Sequence, residues 1–154
     1  MGSEQSKSYY DQVMEAIPQG HGYIKPLVIV GASGSGKKTL FNHLKQHYAD
    51  QMIKAISVTT RAPHASEING VDYVFESQSD FKKEQDAGLL FEQASFDGHQ
   101  YGIHFNFVKN AIANEQICVL DVNLEGAKRI HEISMNFCFV YIQPPSKEVL
   151  RARL

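Results

Sequence analysis

Gly31-Ala32-Ser33-Gly34-Ser35-Gly36-Lys37-Lys38-Thr39 follows an apolar, β-branched run, Leu27-Val28-Ile29-Val30. It leads into Thr39 to Tyr48, where Leu40, Phe41, Leu44 and Tyr48 recur at helical spacing. Strand, glycine-rich loop and helix, in that order, form the setting in which G-x-x-x-x-G-K folds around phosphate groups. Glycines let the backbone curl until successive N–H groups converge on an anion. The helix that follows aims its positive end at the same point. Lys37 is expected to reach the β- and γ-phosphates of a nucleotide, with Gly31, Ser33, Gly34, Ser35, Gly36, Lys38 and Thr39 around it. One position departs from the pattern. The residue after the lysine usually carries a hydroxyl that binds Mg²⁺, and here it is Lys38, with Thr39 beside it.

Downstream, Ile117-Cys118-Val119-Leu120-Asp121-Val122 is a continuous apolar run closing on an acid. Such runs suit parallel strands covered on both faces. Alone, Asp121 reads as a helix cap or a surface acid; beside a phosphate loop it is expected to hold Mg²⁺, directly or through water. Leu124 to Ile133 predicts a helix, Phe137 to Ile142 another buried strand stopped by Pro144-Pro145, and Ser146 the cap of a helix from Lys147 to Leu154. Residues 53–115 differ in texture, with strand signals at Ala55–Thr59, Ile68–Val71 and Asp72–Phe75. Asn69-Gly70 predicts a hairpin turn. Ser79 to Gly88 reads as a helix capped by Ser79 and ended by Gly88, and Phe107 to Asn114 as a second helix. Phe75, Phe81, Phe91 and Phe96 are expected to form a small core there. The fold class is α/β: a P-loop parallel-sheet core (27–52 and 116–154) with an inserted mixed α/β segment (53–115).

At 154 residues and 43% hydrophobic, the chain suffices for one domain with a real core. Residues 1–26 read as an extension in which Tyr9 to Ile17 forms a short amphipathic helix. A net charge of −2 argues against a general nucleic-acid binder. Cys118 and Cys138, both in apolar runs, predict buried thiols in a reducing cytosol. No stretch is long and apolar enough to span a bilayer and no secretory signal is present, so a cytoplasmic setting is expected. Met1-Gly2-Ser3-Glu4-Gln5-Ser6 fits the N-myristoylation pattern, and fits an expression remnant as well. One acyl chain binds membranes weakly and reversibly, so membrane contact is expected only if Gly2 is acylated. His43 and His47 have metal-ligand spacing without a third ligand in view, which favours a solvated helix face.

Arg61, after Ser57-Val58-Thr59-Thr60, has the fork that matches two phosphate oxygens. Tyr73 and Tyr101 are candidates to donate to the same phosphate, although each alone is more simply a half-buried strand residue. Glu92 sits in Leu89-Leu90-Phe91-Glu92-Gln93-Ala94, and an acid in an apolar run needs a partner. Guanine offers adjacent N1–H and 2-amino donors to one carboxylate, whereas adenine presents an acceptor at N1. A salt bridge or the solvent face of a strand is the plainer alternative. His99 and His104 flank Tyr101 and are weaker candidates for the same pocket.

The phosphate loop, Ser57-Val58-Thr59-Thr60-Arg61-Ala62-Pro63, Glu67 to Phe75, Phe91-Glu92, Tyr101-Gly102, Leu120 to Gly126 and Pro144-Pro145-Ser146 resemble the guanylate kinase family in order and spacing, from about Pro26 to Leu154. The resemblance implies a P-loop core, a smaller GMP-binding subdomain, a mobile lid, and transfer of the ATP γ-phosphoryl group to GMP. By position, Lys37 and the loop would hold ATP, and Ser57, Arg61, Tyr73 and Tyr101 the GMP phosphate. Glu92 and Asn123 would face guanine, Asp121 with Thr39 would serve Mg²⁺, and Arg153 would reach the phosphates in transfer. Four positions depart. His64 replaces a second phosphate-binding arginine, and an imidazole is mostly neutral near pH 7. Ile103 replaces a Ser or Thr that bonds guanine, Asn123 an Asp, and Lys38 the Mg²⁺ hydroxyl. At about 0.5–1.5 kcal/mol per neutral hydrogen bond and about 1.5–3 per charged one, these changes predict weakened GMP binding or a different acceptor. The family's lid and closing strand and helix follow the position equivalent to Leu154, so the chain is expected to be a truncated piece. Two rival functions remain: a guanylate-kinase-like binding module, opposed by Lys37 and three glycines, and a P-loop kinase for another small phosphorylated acceptor, opposed by Glu92.

Overall fold

The computed structural model describes residues 24–133 and 136–154. The expected helix at Tyr9–Ile17 and the acylation pattern at Gly2 lie outside them. The chain order is β1 (Leu27–Val30), α1 (Lys37–Tyr48), β2 (Met52–Lys54), β3 (Ser57–Thr59), β4 (Val74–Phe75), α2 (Gln78–Asp86), β5 (Leu90–Phe96), β6 (His99–His104), α3 (Phe105–Ala113), β7 (Ile117–Val122), α4 (Leu124–Glu132), β8 (Cys138–Tyr141) and α5 (Lys147–Arg153). Two compact units result: Ile24–Ala55 with Asn110–Leu154, and Ile56–Lys109. No described helix is long and apolar enough to cross a membrane.

The first unit is built on a four-stranded parallel sheet, β2-β7-β1-β8. The apolar runs of β1 and β7 lie side by side, with Val28, Ile29, Val119 and Leu120 fully buried. Their register pairs Ile29 with Asp121 and Val30 with Val122. The acid therefore stands at the carboxyl end of the sheet, where the chain leaves β1 for the glycine-rich loop. Ligands of open α/β sheets bind at that end. α4 packs on β1 and β7 through Gly126, Ala127 and Ile130, one face at i, i+1 and i+4.

Three expectations change in this unit. α1 starts at Lys37, two residues early, and has no buried residue: Leu40, Phe41 and Leu44 are half-buried and Tyr48 is exposed. β8 is not a buried strand, since Phe139 and Tyr141 are 39% and 66% exposed. It pairs only with β1 among the described residues, and Phe139 is met edge-on by His131 of α4 and by Phe137 while staying part-exposed. Cys138 is accordingly exposed; only Cys118 is a buried thiol, with its pKa pushed up to about 12 by burial.

The second unit carries the sheet β4-β3-β6-β5, antiparallel except for β3 with β4. Its hairpin is β5–β6, turned by Asp97-Gly98 with φ of 50° and 76°. Two positive φ values in a two-residue loop match the twist of the flanking strands. Asn69-Gly70 makes a turn and no hairpin. Val71 N–H bonds Ile68 O at 3.1 Å, but the Asp72 carboxylate takes Ile68 N–H (2.8 Å) and Asn69 Oδ1 takes Phe75 N–H (2.9 Å). Side chains thus satisfy the backbone, and Ile68 and Val71 remain exposed.

The core of this unit is Val58, Phe81 and Leu90, with Val74 packed on it. Of the four phenylalanines expected there, Phe81 is central, Phe75 is half-buried and Phe96 is 73% exposed at the hairpin's end. The Phe91 side chain is not among those described. The cap of α2 is Ser77, whose Oγ accepts from Asp80 N–H at 3.1 Å; Ser79 bonds the Ser77 hydroxyl instead. α3 begins at Phe105, two residues earlier than expected, with His104 Nδ1 accepting from Asn106 N–H at 3.1 Å. Burial lowers the His104 pKa, in keeping with a neutral ring that accepts there.

Glu76 and Glu84 each leave one carboxylate oxygen buried without a partner. Burial first, then the charge of Glu84, raises the Glu76 pKa. A carboxyl whose folded-state pKa is raised stabilises the fold while protonated, and this contribution is lost as pH rises through the folded pKa. Glu76→Gln is therefore expected to raise the stability at pH 7, by under about 1 kcal/mol because solvent screens the pair, and to narrow the difference in melting midpoint between pH 7 and pH 5. Thermal melts at the two pH values measure this.

Candidate active site

The loop after β1 encloses a cleft of about 940 Å³ lined by Ser33 to Thr39, His43, Asp121 and Arg153 among others. Gly31 is required by space: a Cβ there would lie 2.7 Å from both Ile142 O and Ser35 Oγ. Gly36 is required by conformation, at φ 112°, as the residue from which α1 springs. Lys37 Nζ folds back on the loop, donating to Gly31 O at 2.7 Å and Ala32 O at 2.9 Å, with Asp121 Oδ1 3.9 Å away. Arg153, carried by α5, reaches the rim and donates to Gly34 O at 3.3 Å.

Two features of this cleft call for an anion. Ser35 is 5% exposed, yet its Oγ has no partner. Buried hydroxyls are nearly always bonded, and an orphan in a loop of this shape fits a missing ligand. The start of α1 has no side-chain cap and no acid in its first turn; Lys37 and Lys38 stand there. Cations at a helix N-terminus oppose the dipole by about 0.3–1 kcal/mol each, and a bound phosphate reverses that balance.

The second unit holds a separate cluster built around one ion pair, Arg61 with Glu67. Arg61 forks onto Glu67, Nη1 to Oε2 and Nη2 to Oε1, both at 2.9 Å, and donates to Ala62 O at 2.8 Å. Its guanidinium lies over the rings of Tyr73 (5.3 Å) and Phe75 (5.6 Å), and Tyr73 meets Tyr101 edge-on at 6.2 Å. Hydrogen bonding to Glu67 leads the causes that raise the Arg61 pKa, and Tyr101 adds to it. Glu67, bonded also by His64 N–H at 2.7 Å, has its pKa lowered to about 2, first by Arg61. The backbone is fixed by Thr59, whose Oγ1 accepts from Arg61 N–H (3.2 Å) and donates to Gln100 O (3.0 Å), while Thr60 Oγ1 accepts from Gln100 N–H (2.9 Å). Three of the five N–H bonds of the guanidinium go to Ala62 O and Glu67, and the Tyr101 side chain bonds it as well.

β3 and β6 bring the remaining second-unit candidates into register. Ser57 pairs with Ile103 and Thr59 with Tyr101, so these residues share one face, while Val58 faces the core. Glu92 occupies the β5 position opposite Ile103, just past an irregularity after Leu90. Ile103 is 1% exposed, buried on the face opposite Val58. His64 is exposed and uses only its backbone on Glu67. Asn123 belongs to the other unit, and its Oδ1 caps α4 by accepting from Gly126 N–H at 2.9 Å. His43 and His47 meet edge-on at 4.8 Å, and the described residues contain no group of three or more His, Cys, Asp or Glu suited to a metal. Glu67, Thr59, Thr60 and Gln100 were not legible as site residues. The one available signal was Asp97-Gly98, whose hairpin delivers Gln100 opposite the Thr59-Thr60 end of β3.

The guanylate kinase family model matches residues 23–154. Guanylate kinases of Sus scrofa and Homo sapiens are each 38% identical over 130 residues, which cover 84% of this chain and 66% of those proteins. Guanylate kinase 1 of Oryza sativa subsp. japonica is 37% identical, with 34% of its length covered. The chain thus spans just under two thirds of the first two relatives and about a third of the rice protein. The crystal structure of guanylate kinase from Anaplasma phagocytophilum matches with a TM-score of 0.69 and 27% identity, over 85% of this chain and 65% of that one. Sequence motifs, a P-loop sheet with a second mixed sheet, and these likenesses agree that the chain belongs to the guanylate kinase family.

Proposed function

We propose that this chain phosphorylates GMP with ATP, giving GDP and ADP. The observation that carries this is the phosphate cradle: Lys37, Asp121 and the partnerless Ser35 hydroxyl line one cleft at an uncapped helix start. The Arg61 guanidinium, oriented by Glu67 and lying over Tyr73 and Phe75, supports an acceptor phosphate site in the other unit. A phosphate oxygen of GMP attacks the γ-phosphorus in line as the bond to the β–γ bridging oxygen breaks. No side-chain nucleophile is needed, so the protein positions and neutralises. Loop N–H groups and Lys37 hold the donor phosphates, with Lys37 leaving its two loop carbonyls for phosphate oxygens. Ser57, Arg61, Tyr73 and Tyr101 hold the acceptor phosphate, Glu92 reads guanine, and Arg153 offsets charge on the transferred group.

Mg²⁺ fits the donor set. The Asp121 carboxylate and the Thr39 hydroxyl line the same cleft, and Mg²⁺ takes water and phosphate oxygens as its other ligands. When bound it would neutralise charge on the β- and γ-phosphates. A cytoplasmic setting is supported by the buried, unbridged Cys118. Acylation of Gly2 would add weak membrane contact, and the mass of the native N-terminus tests it. ADP release from ATP with and without GMP tests the function: release is expected only with GMP, and ATP turnover indifferent to GMP would contradict it.

A further inference from the structure

The position after Lys37 carries an ammonium group instead of a hydroxyl. Lys38 lines the cleft, is exposed, and makes no hydrogen bond or ion pair among the described residues. The other two cations of the cleft are engaged: Lys37 with Gly31 O, Ala32 O and Asp121, and Arg153 with Gly34 O. The cleft is therefore lined by three cationic side chains and one carboxylate, Asp121. An ammonium cannot ligate a metal; it donates to phosphate oxygens as a point charge. It also repels a divalent cation placed beside it. At the second residue of α1, whose first turn holds no acid, that charge adds to the helix end's attraction for an anion.

We propose that Lys38 supplies phosphate neutralisation that a hydroxyl-bound Mg²⁺ would otherwise supply, so that this site holds metal-free nucleoside di- and triphosphates nearly as tightly as their Mg²⁺ complexes. Asp121 and Thr39 still accept Mg²⁺ for transfer, but nucleotide retention does not depend on it. The inference rests on the proposed nucleotide site and concerns only how that site pays for phosphate charge. Binding of a fluorescent ADP analogue is measured in excess Mg²⁺ and in EDTA for the native chain, Lys38→Gln and Lys38→Ser. The native Kd is expected to change by less than about fivefold between the two conditions. Both variants are expected to lose about tenfold or more in EDTA, and Lys38→Ser to recover in Mg²⁺. Circular dichroism of each variant checks that it is folded. A native Kd that rises fivefold or more in EDTA, or metal-free affinity unchanged in both folded variants, overturns the inference while leaving the nucleotide site intact. No binding by the native chain in either condition overturns the nucleotide site as well.

Discussion

Lys37→Ala is expected to lower kcat/KM for ATP by about 10²–10³-fold or more, the scale of removing one preorganised charge-stabilising donor. The side chain reaches Gly31 O and Ala32 O at 2.7 and 2.9 Å, so its ammonium is already over the loop before a nucleotide arrives. Asp121, 3.9 Å away, limits where it points. Its removal leaves two carbonyls and a part-exposed carboxylate that water can solvate, so the melting midpoint is expected to move little. Single-turnover kinetics beside thermal melts measure both. A variant that keeps native turnover would remove Lys37 from the mechanism.

Arg61→Lys is expected to raise KM for GMP by about 10- to 150-fold, which corresponds to one charge-assisted bond of about 1.5–3 kcal/mol. Lysine keeps the charge but lacks the fork that lets arginine hold Glu67 and a phosphate together. KM for ATP is expected to stay within about twofold, because Arg61 does not line the donor cleft. Glu67 supplies a pH signature of the same cluster. Its lowered pKa, about 2, gives stability that is fully present above the ordinary carboxylate range and is lost as pH falls toward 2. Glu67→Gln should flatten that acid-side loss and raise KM for GMP by freeing the guanidinium from its orientation. Melts from pH 6 to 2 with steady-state kinetics separate the two effects; an unchanged acid limb would show that the pair does not stabilise the fold.

The parallel core was legible because its signals are local and agree. β1 and β7 fall where their apolar runs begin and end, and Ser146 and the glycine-rich loop mark element starts. The inserted unit was less legible because its backbone is satisfied by short polar side chains. Two Asx-Gly pairs compete as hairpin turns, and only Asp97-Gly98 lies between runs that can pair; at Asn69-Gly70, Asp72 and Asn69 themselves take the strand N–H groups. Two serines compete as the α2 cap, and Ser77 prevails through Asp80 N–H. The exposure of β8 was unreadable from composition, since Phe139 and Tyr141 look like core residues until the sheet order places their strand last, beside β1 alone. In the site, Arg61 announced itself by its motif. Its carboxylate partner did not, because Glu67 is six residues on and meets it only when the loop folds back.

The identity of the acceptor is tested most directly by one competition measurement. The protein is incubated with Mg²⁺–ATP and an equimolar mixture of GMP, dGMP, AMP and ribose 5-phosphate, and the products are separated by chromatography. GDP and dGDP are expected to form while AMP and ribose 5-phosphate are recovered. Consumption of AMP or the sugar phosphate at the rate of GMP, or the absence of GDP while another product accumulates, would contradict GMP as the acceptor.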